Sequence, residues 1–262
     1  ISENMPQSAP TNHTTLQRYI KLSVLVIIAG NIYPLIYLRQ NFQLSMLESF
    51  GISGTQLGHM YAMLGVLYMV TYLPSGWLAD RVAPRILMSF SLAFAGLLGL
   101  WFSTMPSFGS LRIIFAGWGI AAGLTFWAAL IKATNLLAEP TEQGRFFGIL
   151  DGGRGLVEAL LATIAVAMFA YYTGSVEQDS SDALKKVIYL YVGCMLVLAP
   201  IAYFILPEPA IKQKDDPDSS KPKSHIWIDF KIIASKLEIW LCGICILTGY
   251  QLFWATYSFS AY

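Results

Sequence analysis

Apolar residues arrive along this chain in long runs separated by short polar turns. The runs extend from about Ile20 to Met46, Gln56 to Leu73, Ile86 to Phe102, Leu111 to Ala138, Phe146 to Tyr172 and Val187 to Leu206, and a last one begins at Leu237. A bilayer core of about 30 Å takes about 20 residues as helix. A helix satisfies its own backbone hydrogen bonds in lipid, which makes it the economical conformation for each run. The pattern predicts an all-α membrane protein of six spans followed by a seventh. Gly96, Gly117, Gly119 and Gly123 lie inside the runs, where small residues let helices approach closely. The first run is too long for a signal peptide, and no small-x-small cleavage site follows it.

Composition agrees with this reading. The chain is 55% hydrophobic and 13% charged, with mean hydropathy +0.54; an ordinary soluble domain is roughly 25% charged. The net charge of +1 supplies no basic field for nucleic acid. Lys and Arg fix the expected orientation. With the N-terminus in the cytoplasm, Arg18, Lys21, Arg81, Arg85, Arg145 and the lysines of the 207–236 stretch all lie inside. The outer loops then keep only Arg112, Lys185 and Lys186. The expected division is a cytoplasmic tail over 1–17, a six-helix bundle over 18–206, a cytoplasmic linker over 207–236 and a seventh helix over 237–262. The linker is polar and proline-containing, unable to bury a core, and Ile226 to Lys236 fits a surface amphipathic helix. A start at Ile1 and an end inside an apolar run read as a fragment of a longer chain. The sequon Asn12-His13-Thr14 falls on the cytoplasmic side and is disregarded.

Two motifs carry a family resemblance. Gly76-Trp-Leu-Ala-Asp80-Arg81-Val-Ala-Pro-Arg85, between the second and third spans, closely resembles the signature loop of the major facilitator superfamily, G-x-L-x-D-R-x-x-x-R, with Ala83-Pro84 where Gly-Arg is usual. The resemblance implies a twelve-helix fold, of which this chain would hold the six-helix N-terminal bundle, built from two inverted three-helix repeats, plus the seventh helix. It also implies that Gly76, Asp80, Arg81 and Arg85 form a gating latch. Physically, Gly76 permits close helix approach, and Asp80 can cap the next helix or pair with cations. Tyr37-Leu-Arg39-Gln-Asn41-Phe42 in the first span is similar to the corresponding segment of the organophosphate/anion antiporter branch. There the first-span arginine contacts the anionic substrate, a role that falls here to Arg39. Phosphate transporters of that branch carry a second arginine in the seventh span, where this chain has Tyr250, Gln251 and Trp254 and no cation.

The fifth run carries Asp151, Arg154 and Glu158 at i, i+3 and i+7, one helical face. A charge at mid-bilayer costs about 2.5–3.5 kcal/mol even on a lenient scale, so these three are expected to pair and to face a wet cavity. In the functional reading Arg154 lines the solute path while Asp151 or Glu158 exchanges protons. In the alternative, the three form a structural ion-pair cluster. Arg39 likewise either touches solute or snorkels to the interface; it stands 18 residues beyond Lys21, about 27 Å at helical rise. Lys132, late in the fourth run, reads as a cytoplasmic-end cation, with snorkelling one way to accommodate it. Tyr37, Phe126, Trp127, Tyr250, Gln251 and Trp254 are candidates for the cavity lining, and Tyr68 and Tyr72 share with them the alternative of plain packing.

The spacing Cys242-x-x-Cys245 lacks a second pair or a histidine to complete a metal site and reads as small apolar-tolerant residues. Phosphate-loop, zinc-helix and nucleophile-elbow motifs are missing from the sequence. The expectation is a secondary active transporter without cofactor or catalytic centre. It moves a small organic solute, anionic because Arg39 and Arg154 are the site cations, in a bacterial inner membrane, with lipid and the C-terminal half as its partners. The rival readings are a transporter-fold sensor of an external metabolite and a passive uniporter of a neutral solute.

Overall fold

The computed structural model describes residues 14–176, 178–206 and 235–259, with side chains in the last stretch as far as Leu252. The chain forms two compact units, Ile1–Ala210 and Ile211–Tyr262. The described residues are helical throughout apart from short turns, with no strand among them. The first unit holds six helical spans long and apolar enough to cross a membrane.

The first span is two helices, α1 (Thr15–Ile36) and α2 (Arg39–Phe50). Thr14 opens α1 with a capping box closed by Gln17. Pro34 has no N–H to donate to the preceding turn. Three residues later the helix breaks, with Tyr37 at φ −102°, ψ 33°. Across the break the bonds tighten to three-residue spacing, Leu38 N–H to the Leu35 carbonyl and Gln40 N–H to the Tyr37 carbonyl. The first span is thus two helices, and Arg39, a charge within the first apolar run, opens the second.

The second span is α3 (Gly54–Arg81), started by a Ser53–Gln56 capping box, and the third is α4 (Pro84–Ser103). The fourth comprises α5 (Phe108–Ile120), a π-helical segment over Ala121–Phe126 and α6 (Trp127–Leu137). The fifth is α7 (Gln143–Gly174) and the sixth α8 (Ser180–Ile205). Each span outruns its apolar run at both ends or falls short of it by a single residue. The polar flanks that hydropathy leaves out supply side-chain caps at Thr14 and Ser53.

Helices of the first three spans pack chiefly on those of the second three, the third also on the fourth and the first also on the sixth. The third span lies along the sixth, the first along the fifth, and the second along the fourth. Exchanging spans one with four, two with five and three with six maps this set of pairs onto itself, the relation expected of two inverted three-helix repeats. Small residues make the pairs close. A Cβ on Gly30 would lie 2.7 Å from Val157 Cγ1 and 2.8 Å from the Arg154 carbonyl oxygen, and one on Gly153 2.6 Å from Val26. Gly119 and Gly123 admit Leu67 and Thr71 of α3 in the same way. The core between the pairs is apolar, with Trp118, Phe102 and Phe115 fully buried and mutually packed. The second and fifth spans are the least covered.

The second unit contains α9 (Leu237–Phe259). The amphipathic helix expected over Ile226 to Lys236 lies outside the described residues except for its last two positions, a turn at Ser235 and the residue before α9.

Candidate functional site

Both interrupted spans meet at one place. In the fourth span the π-helical turn adds a residue to the helical circuit and turns the chain that follows it. The Ala121 carbonyl at its start accepts bonds from Thr125 Oγ1 on the same span and Ser91 Oγ on α4. Beyond the turn, Phe126 and Trp127 face the first span, their rings 6.5 and 6.4 Å from that of Tyr33, edge to face. In the first span, Tyr33 lies 6.1 Å from Tyr37, and Tyr37 stacks on Tyr61 of α3 at 5.9 Å.

The two arginines close the ends of this aromatic strip. The Arg39 guanidinium carbon sits 4.1 Å above the Tyr61 ring, and that of Arg154 sits 5.4 Å from the Trp127 ring. Both side chains are partly covered. A guanidinium beside a ring gains from the cation–π contact, and its planar N–H fork matches a carboxylate or phosphate. Away from bulk water such a charge-assisted bond gains strength. Tyr68 and Tyr72 stack 5.9 Å apart on the same span as Tyr61. Of the first-unit residues assigned to solute from sequence, Arg39, Tyr37, Trp127 and Arg154 are therefore joined by ring contacts, through Tyr33 and Tyr61.

Arg154 also pairs with Asp151 at 3.8 Å, one turn earlier on α7, and Asp151 is largely exposed. Glu158, on the other side of Arg154, is half-buried and makes no ion pair within 4 Å among the described residues. The Arg154 backbone is held against Gly30, so the fifth span presents its charges from a fixed crossing with the first.

At the end of the bundle where α1 begins, the signature loop differs from expectation in two details. Ala83, not Asp80, occupies the N-cap position of α4, and Pro84 takes the first helical position. Asp80 instead lies exposed in the last turn of α3, with no hydrogen bond or ion pair among the described residues. A Cβ at Gly76 would meet nothing within 4 Å, so the close approach expected there does not occur within this unit. Arg81 folds back over Trp77 at 4.0 Å and donates to its carbonyl; Arg85 lies 5.5 Å from the Tyr203 ring. Lys132 does not snorkel outward: its Nζ donates to the Ala79 carbonyl and caps the end of α3 beside Asp80.

The same end carries a cluster that sequence reasoning missed. Arg18 is 5% exposed. Its Nε donates to the Leu137 carbonyl at 2.7 Å, and its two terminal nitrogens reach Glu139 at 2.5 Å and Glu142 at 2.6 Å. The guanidinium also lies 5.2 Å from the Phe146 ring. It ties the start of the first span to the turn between the fourth and fifth. In the second unit, Tyr250 and Gln251 are exposed, and the Trp254 side chain lies outside the described residues.

The Major Facilitator Superfamily model matches residues 24–262, and the chain belongs to that family of multi-pass integral membrane proteins. Two inner membrane proteins of Escherichia coli K12, YihN and YqcE, are each 27% identical to it, over 91% and 92% of this chain and 55% of their own length. A probable L-galactonate transporter of the same organism is 25% identical over 48% of this chain and 27% of its own length. A crystal structure of a bacterial homologue of the human lysosomal transporter Spinster, inward-facing and unoccupied, superposes with TM-score 0.65 at 17% identity. That match covers 86% of this chain and 50% of the other. The chain thus spans about half the length of the relatives it matches.

Proposed function

We propose that the whole protein is a secondary transporter that moves a small organic anion by alternating access, with this unit supplying one wall of the binding site. The observation that carries the reading is that Arg39 and Arg154, more than 100 residues apart in sequence, rest on one continuous run of aromatic rings. An anionic group would take the guanidinium edges while the rest of the solute lies on the tyrosine and tryptophan faces. Tyr250, Gln251 and Trp254 of the seventh span would contribute from the opposite half. Glu158 is the proton-coupling carboxylate and Asp151 the holder of Arg154. Gly76, Asp80, Arg81 and Arg85 form the gate, with Lys132 fixing its start. The excess of Lys and Arg at the end where α1 begins supports a cytoplasmic assignment for that end, and inner-membrane relatives support the same bilayer.

The test uses the whole protein in liposomes. Ligand-induced thermal stabilisation is measured across sugar acids, other carboxylates, sulfonates, organophosphates, amino acids and neutral sugars. Sugar acids come first because one relative is described as a probable L-galactonate transporter. Stabilisation by an anion that disappears in both Arg39→Ala and Arg154→Ala supports the reading. Stabilisation by neutral solutes alone, unchanged in the two variants, rejects it.

A further inference from the structure

The geometry points to Tyr61 as the positioning residue of this site, pinning the break in the first span with its hydroxyl and carrying Arg39 on its ring. In an unbroken helix the Ile36 carbonyl would accept the Gln40 N–H. Here that N–H turns to Tyr37, and Ile36 is fully buried, out of reach of water. A buried carbonyl without a donor is costly. The Tyr61 hydroxyl supplies the missing bond, donating to the Ile36 oxygen at 2.8 Å from a different span. The same ring lies under the Arg39 guanidinium at 4.1 Å. Phe115 meets the ring edge to face at 5.1 Å and is itself packed against Phe102 and Trp118.

The break and the cation therefore share one support, anchored in the best-packed part of the bundle. Packing alone would be served by phenylalanine; the hydroxyl is needed only because the first span is broken where it is. Any swing of α2 against α1 must either stretch the Tyr61–Ile36 bond or lift Arg39 from the ring, so the shape of the first span and the pose of the cation change together. The value of this for solute binding rests on the anion-site reading; the pinning itself does not.

The experiment is made on the whole protein in lipid nanodiscs with Tyr61→Phe, Tyr61→Leu and wild type. Two quantities are followed: hydrogen exchange of the 38–42 backbone amides, and the rate at which phenylglyoxal modifies Arg39, read by peptide mass spectrometry. Buried Arg18 serves as the internal control for unfolding. Tyr61→Phe, which keeps the ring, is expected to speed exchange about tenfold through loss of one buried hydrogen bond while Arg39 reacts as in wild type. Tyr61→Leu is expected to speed both, with Arg39 modified roughly tenfold faster through loss of its ring contact and Arg18 still protected. Wild-type exchange in Tyr61→Phe, wild-type reactivity of Arg39 in Tyr61→Leu, or equal exposure of Arg18 and Arg39 in either variant would overturn the proposal. Failure of the anion-site reading has a separate signature, anion stabilisation that survives Arg39→Ala, and leaves these two readouts unmoved.

Discussion

Replacing Arg18 by alanine should cost more stability than any other single charge removal at that end of the bundle. The side chain fills four roles at once, and each has a magnitude. The Leu137 carbonyl accepts from it in a buried setting at 2.7 Å, and leaving such a group unpaired costs about 1–3 kcal/mol. Glu142, with a side chain 28% exposed, loses its cation where water only partly replaces it, which adds about 1–2 kcal/mol. Glu139, 64% exposed, contributes about 0–1 kcal/mol. The Phe146 contact at 5.2 Å adds about 0.5–1 kcal/mol. Because these contributions overlap, the expected loss is about 3–5 kcal/mol, the range for breaking a buried ion pair from one side. Equilibrium unfolding of the whole protein in mixed micelles, followed by tryptophan fluorescence, measures it. Arg18→Lys should recover part of the loss, since it keeps the charge without the guanidinium fork. Glu139→Gln should stay within about 1 kcal/mol of wild type, and that small difference should vanish in high salt. The reasoning fails if Arg18→Ala unfolds within about 0.5 kcal/mol of wild type, or if Glu139→Gln is as damaging as Arg18→Ala.

Three further outcomes follow from the same geometry. Gly123→Ala drives a methyl group into Thr71 Oγ1 and should cost about 1–3 kcal/mol as overpacking; adding Thr71→Ala should restore part of it, and thermal melts of the two variants decide. Lys132→Met should destabilise by about 1–3 kcal/mol by stripping the donor from the Ala79 carbonyl, where a merely snorkelling lysine would leave the melting curve unchanged. Glu158→Gln should abolish accumulation driven by a proton gradient while solute exchange persists; full uphill transport in that variant removes Glu158 from coupling.

The six spans were legible because the bilayer imposes one length and one polarity on each. The signature loop was legible because its residues are contiguous. What escaped depends on contacts between distant parts of the chain. Pro34 announces a disturbance in the first span, but the break falls at Tyr37 and Leu38, where Tyr61 on another helix can repair the exposed carbonyl. The π-helical turn has no residue pattern of its own; Ser91 and Thr125 meet at Ala121 only once the spans are packed. Arg18 counted in the sequence only as one more positive charge, since its partners lie some 120 residues on. Asp80 was misplaced as a cap because Pro84 moves the start of the next helix to Ala83. Arg39, Tyr37, Trp127 and Arg154 were each identifiable as polar or aromatic interruptions of apolar runs; the rings that join them were not.

The pairing of spans also bears on how the chain can be made. Each intimate partnership joins a helix of the first trio to one of the second, so the ribosome delivers three helices whose closest neighbours do not yet exist. The first span waits for the fifth before Gly30 and Gly153 find their grooves, and its opening turn stays undocked until Glu139 and Glu142 emerge. Assembly of this half therefore depends on closures between distant parts of the chain, the kind of contact that slows folding. During that interval the nascent trio must be shielded by lipid or by the insertion machinery.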